Sequence, residues 1–497
     1  MRHAFIILAY NELELLKKLI ARLAEISCDL YLNIDGKMKI SESDDLYFKK
    51  HSAIRYYQRN KVSWGGYSIL QTEMRLLAFA QNEGRADYFH ILSGQDYPVK
   101  PMRLFLRYFE CREKKCFLNC IKASYEKVSD RMLFYKPYDI IQARTLWGDK
   151  ILDLLKKVQW HLPIERNLSS VPNEVWLGSQ WCSLTKAACS FILEYTKKNS
   201  KFYRRLKHTF APEEVYFPTI LINDFKDEKL EIKNNLRFIR WVEENGNIPA
   251  NLGVEHFKFL ANKKYFFARK MSMPISSQLI NLIDKYLLDG YEKYKKYFEY
   301  DNNIAETIVR VLRDIQITSV LVVGERLLYT DALLGSSFLV NSLIFSEQTL
   351  DIAQLLGVAD FCQLGSWEET MEMDEADCFE CLILINFLSA AKEKVLWKIS
   401  NLAGLTSKYI LIVEECVRTS VGENLETIAK ETLFSFDPTL NRLINARIHI
   451  EGSDFQIYLL KKKTYETAYN NIGHFGSYAK RLCSVFSKND EIRGACI

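Results

Sequence analysis

The chain has 497 residues, 48% of them apolar and 26% charged, a globular composition that excludes disordered and collagen-like classes. Its formal charge of +5 is small for that length, and no Lys/Arg run with interleaved aromatics appears, so nucleic acid is not an expected partner.

The N-terminal MRHAFIILAY carries a short apolar run that meets Asn11 and Glu12 at once, without a small-residue cleavage site. It reads as a first buried strand and not as a secretion signal. No stretch reaches the roughly 18 apolar residues of a membrane span. A soluble, cytoplasmic, bacterial protein is therefore expected. Its twelve cysteines are read as reduced thiols, many inside apolar runs. Cys378 and Cys381 form a lone C-x-x-C at a strand entry. Positions three apart on a strand face opposite sides, so no zinc site is expected.

Up to about residue 125, apolar runs alternate with segments of helical spacing. HAFIILAY, CDLYLNID, AIRYYQ, ADYFHILSG and KCFLNCIKA read as strands. NELELLKKLIARLAEI, with Asn11 as N-cap, SILQTEMRLLAFAQNEG and PMRLFLRYFE read as helices. That order implies a parallel sheet covered on both faces, with ligands at the carboxyl ends of its strands. Those ends carry Tyr10 and Asn11, Asp35 to Lys37, and Gly94 to Asp96. Residues 126–175 are less regular. WLGSQWCSLTKAACSFILEYT reads as a strand feeding a helix, and APEEVYFPTILIN as an acidic turn opening one. NLRFIRW is a strand, and YFFARK a short segment near the end of this region. SSQLINLIDKYLLDGYEKYKKYF is an amphipathic linking helix.

After about residue 300 the pattern restarts. NIAETIVRVLRDIQ is helical; TSVLVVGE, NSLIFSE, CFECLILIN and KYILIVEE are buried strands; RLINARIHIEG and FQIYLLKKK suit a closing antiparallel hairpin. The expectation is α/β throughout: a domain over 1–275, a linking helix over 276–302, a second doubly wound domain over 303–467, and a tail over 468–497.

Three motifs invite chemistry. In APEE (211–214), a Pro and two acids suit the first turn of a helix. In SGQDYP (93–98), Asp96 is a turn residue or a strand-end carboxylate. In FFARK, Arg269 and Lys270 are a solvated basic pair or a clamp for a diphosphate leaving group. The chain contains no Asp-x-Asp triplet, the usual metal anchor in metal-dependent sugar transferases, which favours the cationic clamp.

HAFIILAYNE, LNIDGK, WGGYSILQTEMRLL, ADYFHILSGQDYPVKP, WLGSQWCSLT, APEEVYFPTILIN, NLRFIRW and YFFARK occur in one order. In that order they resemble the core-2/I-branching and peptide O-xylosyltransferase family, glycosyltransferase family 14, over the first 290 or so residues. The resemblance implies a GT-A-type, Rossmann-like fold and an inverting, metal-independent reaction with no cofactor beyond a UDP-sugar donor. It implies Glu214 as catalytic base. Tyr10, Asp35, Asp96, Arg269 and Lys270 would lie on the donor side, with Trp181 and Glu213 on the acceptor side. The animal members' disulfide framework is not recognisable. The Arg-Lys pair is closer to the xylosyltransferases, so GlcNAc and xylose both stay open as the sugar. A glycan or lipid-linked glycan acceptor is expected, in bacterial surface polysaccharide synthesis. Peripheral contact at the inner face of the membrane is compatible with a lipid-linked acceptor, although no helix demands it. The oligomeric state is not legible.

The second domain resembles S-adenosylmethionine-dependent methyltransferases. Only Gly324 remains of the cofactor-loop glycines, and Glu347 is the one residue suited to a ribose, so S-adenosylmethionine is not an expected cofactor. A bifunctional transferase and methyltransferase, and a non-catalytic sugar-binding scaffold, are the alternatives.

Overall fold

The computed structural model describes residues 1–110, 114–143, 145, 147–162, 164–227, 229–261, 265–298, 302–324, 326–364, 379–385, 406–416, 434–436, 448–450 and 453–462. Cys378 and the tail over 468–497 lie outside these. The chain divides into two compact units, residues 1–260 with 264–291, and 261–263 with 292–497.

In the first unit the elements run β1 (His3–Ala9), α1 (Leu13–Leu23), β2 (Cys28–Ile34), α2 (Glu42–Lys50), β3 (Ile54–Gln58), α3 (Tyr67–Asn82), β4 (Tyr88–Ser93), β5 (Tyr97–Pro98), α4 (Met102–Glu110), β6 (Lys115–Phe117), β7 (Cys120–Lys122), α5 (Tyr125–Met132), α6 (Gly148–His161), β8 (Trp176–Gly178), β9 (Ser183–Thr185), α7 (Lys186–Lys198), α8 (Ser200–Arg205), α9 (Glu213–Asp224), β10 (Lys229–Glu231), β11 (Arg237–Ile239), α10 (Phe257–Leu260), β12 (Phe267–Arg269) and α11 (Met273–Leu282). The main sheet has the order β10-β6-β9-β4-β1-β2-β3. β1 lies parallel between β2 and β4, while β9 runs antiparallel to β4. The carboxyl ends of β1, β2 and β4 thus share one edge, as the alternation of strands and helices predicts.

β1 shows why its run is apolar without alternation. Ala4, Ile6 and Leu8 enter one core with Leu70 and Leu77, while Phe5, Ile7 and Ala9 enter another with Leu16 and Leu19. Both faces are covered, so both sets must be apolar. The predicted Asn11 cap is corrected. α1 starts at Leu13 behind Glu12, which sits at φ 57 and makes no side-chain cap. The Glu12 carboxylate instead accepts from Ser272 Oγ at 2.8 Å and the Met273 amide at 3.0 Å, tying the end of β1 to the end of β12. α3 is capped from afar: Asp139 accepts from the Tyr67 and Ser68 amides at 2.9 and 3.1 Å, filling donors the helix leaves open.

The second unit holds α12 (Tyr291–Phe298, with its first residue in the first unit), α13 (Asn302–Asp314), β13 (Ser319–Val323), α14 (Leu327–Leu334), β14 (Leu339–Ile344), α15 (Glu347–Leu356), β15 (Cys362–Leu364), β16 (Phe379–Ile385), β17 (Thr406–Cys416), β18 (Phe434–Phe436), β19 (Ile448–Ile450) and β20 (Ser453–Lys462). β15, β14, β13, β16 and β17 are parallel, and β20 closes antiparallel on β17 with β19 beside it. The expected linking helix runs from α11 into a π-helical stretch over Ile283–Leu288 and is interrupted at the turn Asp289–Gly290, before α12.

Candidate active site

Arg269, expected on the donor side, stands at the centre of a buried set of contacts. β12 pairs antiparallel with β5, which brings the end of the FFAR segment back to the SGQDYP turn, 173 residues away in sequence. Arg269 Nη1 donates to Asp96 Oδ1 at 2.9 Å. The other Asp96 oxygen accepts from the Ser93 amide at 2.9 Å, and Asp96 is fully buried. Its role in this geometry is to hold Arg269. The guanidinium carbon lies 4.1 Å from the Trp181 ring centroid, a cation–π contact. Trp181, expected on the acceptor side, is thus buried against Arg269 and is not a wall of the cavity described below. Lys270 Nζ donates to Asn247 Oδ1 at 3.2 Å.

The strand ends are stitched to this segment. Tyr10, partly exposed, donates through its hydroxyl to Gln95 Oε1. Gln95 Nε2 donates to the Met271 carbonyl at 3.0 Å, and the Met271 amide donates back to the Gln95 carbonyl at 2.9 Å. Asp35, also buried, accepts at Oδ1 from the Lys37 amide at 3.0 Å and the Val62 amide at 3.3 Å. Tyr10, Asp35 and Asp96 all stand at the strand-end edge, with Arg269 joined to Asp96.

Glu214 opens α9 on a second wall. It lines a cavity of about 590 Å³ with Asn119, Ile121, Asp130, Arg131, Ser179 and Trp241 among its neighbours. Arg131 Nη1 donates to Glu214 Oε2 at 2.9 Å. Burial pushes the Glu214 carboxyl above the ordinary carboxylate range, and Arg131 pulls it back. Ala211, three residues earlier, sits at φ 46, a left-handed conformation that costs a non-glycine residue about 1 kcal/mol. Its amide donates to the Gly65 carbonyl at 2.9 Å. Gly65 has φ 71, and a Cβ there would meet the Phe210 ring at 2.8 Å, so the WGG loop can close on this turn only with glycine.

Glu213, expected on the acceptor side, is buried beside Glu214 and does not line this cavity. Among the described residues its Oε2 has no hydrogen-bond partner, and burial, with Glu73 and Glu214 nearby, holds its carboxyl well above the ordinary range. Glu73 is the residue that sequence reasoning missed. It lies on the buried face of α3, accepts from Gln180 Nε2 at 2.6 Å, and is pushed up to about 8 by burial, with a smaller push from Glu214. The signal was a lone acid among Ile69, Leu70, Met74 and Leu77 on that face.

Three consecutive residues therefore touch the cavity, Glu73 and Arg269 in turn. Ser179 lines the cavity, Gln180 holds Glu73, and Trp181 carries Arg269. Gly178 precedes them because a Cβ would meet Cys120 Cβ at 2.7 Å and Pro218 Cγ at 2.8 Å. Arg166 fixes the approach to the acidic turn. Buried, it donates to the carbonyls of Met132 at 3.2 Å, His208 at 3.0 Å and Lys207 at 2.6 Å, and also to that of Arg205. Among the described residues, no group of three His, Cys, Asp or Glu is arranged to hold a metal ion. No described helix is long and apolar enough to cross a membrane.

Xylosyltransferase 1 of Rattus norvegicus is 22% identical over 286 residues, covering 52% of this chain and 32% of that protein. Xylosyltransferase 2 of Bos taurus is 24% identical over 307 residues, covering 56% and 32%. The chain thus spans about a third of the length of the curated relatives it matches. A solved S-adenosylmethionine-dependent methyltransferase from Archaeoglobus fulgidus aligns with 35% of this chain and 100% of its own, at 13% identity and a TM-score of 0.26, too low to carry an argument. The Core-2/I-Branching enzyme model matches residues 3–260, more than half the chain. Residues 3–260 are a glycosyltransferase-family domain, and the chain belongs to the Core-2/I-branching enzyme family.

Proposed function

We propose that the first unit is a GT-A-type transferase. It moves GlcNAc or xylose from a UDP-sugar to a hydroxyl of a glycan or glycolipid acceptor, with inversion and without a metal. The observation that carries this reading is Glu214, an ionisable carboxylate opening onto a cavity and paired to Arg131. In the proposed step, Glu214 takes the acceptor hydroxyl's proton as the oxygen attacks the anomeric carbon. The bond from that carbon to the diphosphate oxygen breaks, on the face opposite the attack, and the configuration inverts. Arg269, braced by Asp96 and Trp181, and Lys270 balance the negative charge that develops on the departing UDP. Asp35 and Tyr10, at neighbouring strand ends, frame the nucleoside side. The family membership and the xylosyltransferase relatives support the donor class. In this reading the product enters a bacterial surface polysaccharide or glycolipid, made at the inner face of the membrane. The second unit is a scaffold and does not bind S-adenosylmethionine.

Thermal unfolding of the full chain with UDP, UDP-N-acetylglucosamine and UDP-xylose, in EDTA and in manganese, tests the donor side. Stabilisation by UDP in EDTA is expected. A shift that requires manganese, or none with any nucleotide, overturns the phosphate assignment.

A further inference from the structure

Helix α6 places five apolar side chains in solvent along one line, while Trp160, 71% exposed, falls off it. Trp147 at its N-cap is 72% exposed, Ile151 43%, Leu154 60%, Val158 41%, and Leu162 at its end 61%. At 3.6 residues per turn these positions form one continuous stripe. The stripe is separate from the side by which α6 is attached. That side carries Gly148 and Gln159, and Gln159 exchanges hydrogen bonds with Tyr135 at 2.7 and 3.0 Å.

The charges around the helix are sorted. Lys150, Lys157 and His161 fall along the free edge of the stripe, and Lys150 Nζ lies 5.4 Å from the Trp147 ring centroid. Asp149 and Asp153 fall further round, away from the stripe, and Asp153 pairs with Lys157 at 2.8 Å. A helix that merely covers a core has a polar outer face. An apolar stripe with an aromatic end and a basic edge is the pattern of a helix lying in a lipid headgroup region, where Trp is also favoured.

We infer that α6 docks the protein on an anionic phospholipid surface. The inference rests on the glycolipid-acceptor reading for its purpose only; the surface stands on its own chemistry. α6 is also coupled to the cavity, since Lys156 Nζ donates at 2.7 Å to Asp130, a cavity wall beside Arg131 and Glu214.

The test is flotation of the full chain with phosphatidylglycerol/phosphatidylcholine vesicles and with pure phosphatidylcholine vesicles, for the parent and for an Ile151→Ser/Leu154→Ser variant. Both positions are exposed, so the variant is expected to keep the parent's melting temperature and its response to UDP. Binding of the parent to anionic vesicles, at least tenfold weaker to neutral ones and at least tenfold weaker in the variant, is the expected result. No flotation of the parent, equal flotation of the variant, or a parent dimer that the variant dissolves would each overturn it. The UDP response, read on the same samples, separates failure of this surface from failure of the transferase reading. If the variant unfolds, Lys150→Glu/Lys157→Glu replaces it, with the same tenfold loss expected.

Discussion

The guanidinium of Arg269 is sandwiched between a buried carboxylate, Asp96 at 2.9 Å, and the face of Trp181 at 4.1 Å. A cation held on two sides meets a phosphate without first losing side-chain freedom. Trp181→Leu should leave the charge in place and remove that support. UDP affinity is expected to fall about tenfold, the equivalent of about 1.4 kcal/mol and within the range of a desolvated cation–π contact. Calorimetric titration with UDP checks it; an unchanged Kd would reduce Trp181 to packing.

Glu214→Gln keeps the shape of the turn and removes the proposed base. A kcat loss of about 10² to 10⁴ is expected, with UDP binding unchanged. Full turnover in this variant, on any acceptor that the parent uses, would move the base elsewhere.

Arg131 holds the Glu214 carboxyl down against the burial that raises it. Removing Arg131 therefore raises that carboxyl further, and a higher pH is needed to ionise it. In Arg131→Met the acidic limb of the kcat/KM profile should move to higher pH, and activity at low pH should drop most. A profile displaced in height alone would mean that Arg131 acts on substrate and not on Glu214.

Glu73 titrates at about 8 in the fold, against 4.5 for an ordinary glutamate. Between those values the folded chain holds a proton that the unfolded chain has released. Stability therefore falls as pH rises through this window, by about 1.4 kcal/mol per pH unit for one complete proton difference. Glu73→Gln mimics the protonated form and should flatten the slope by that amount. Urea unfolding at pH 5, 6.5 and 8 measures it. An identical slope in parent and variant would show that Glu73 stays ionised.

Gly178→Ala drives a methyl into Cys120 and Pro218. A loss of about 1–3 kcal/mol is expected, typical of overpacking, and with it the geometry of residues 179–181. Denaturation midpoints and UDP affinity, read together, would show both effects; a variant as stable as the parent would mean that the loop yields freely.

What the sequence made legible follows from range. β1, β2 and β4 announce themselves because each is a local run, and the strand-end positions of Tyr10, Asp35 and Asp96 follow from their order. Glu214 is legible as a helix-start acid and through its family resemblance. The partner of Glu214 is not, because Arg131 lies 83 residues away in a stretch of weak periodicity. The same holds for Glu73, which meets Gln180 across 107 residues, and for Asp139, which caps α3 from 72 residues downstream of Tyr67. The contact of Trp181 with Arg269 was not legible, because an aromatic next to a loop looks the same in sequence whether it faces a sugar or a guanidinium.

Arg166 has a consequence for motion. Its charge is neutralised by carbonyl dipoles from Met132, Arg205, Lys207 and His208, and burial brings its guanidinium down to about 10. Those carbonyls belong to the end of α5, the end of α8 and the loop that leads into Ala211. Lifting that loop would strand a cation in a dry interior, a penalty of several kcal/mol. The acidic turn is thus a fixed anvil. In the proposed reaction, opening and closing are then left to the segments around Arg269 and to the substrates, with the turn that carries Glu214 held in place.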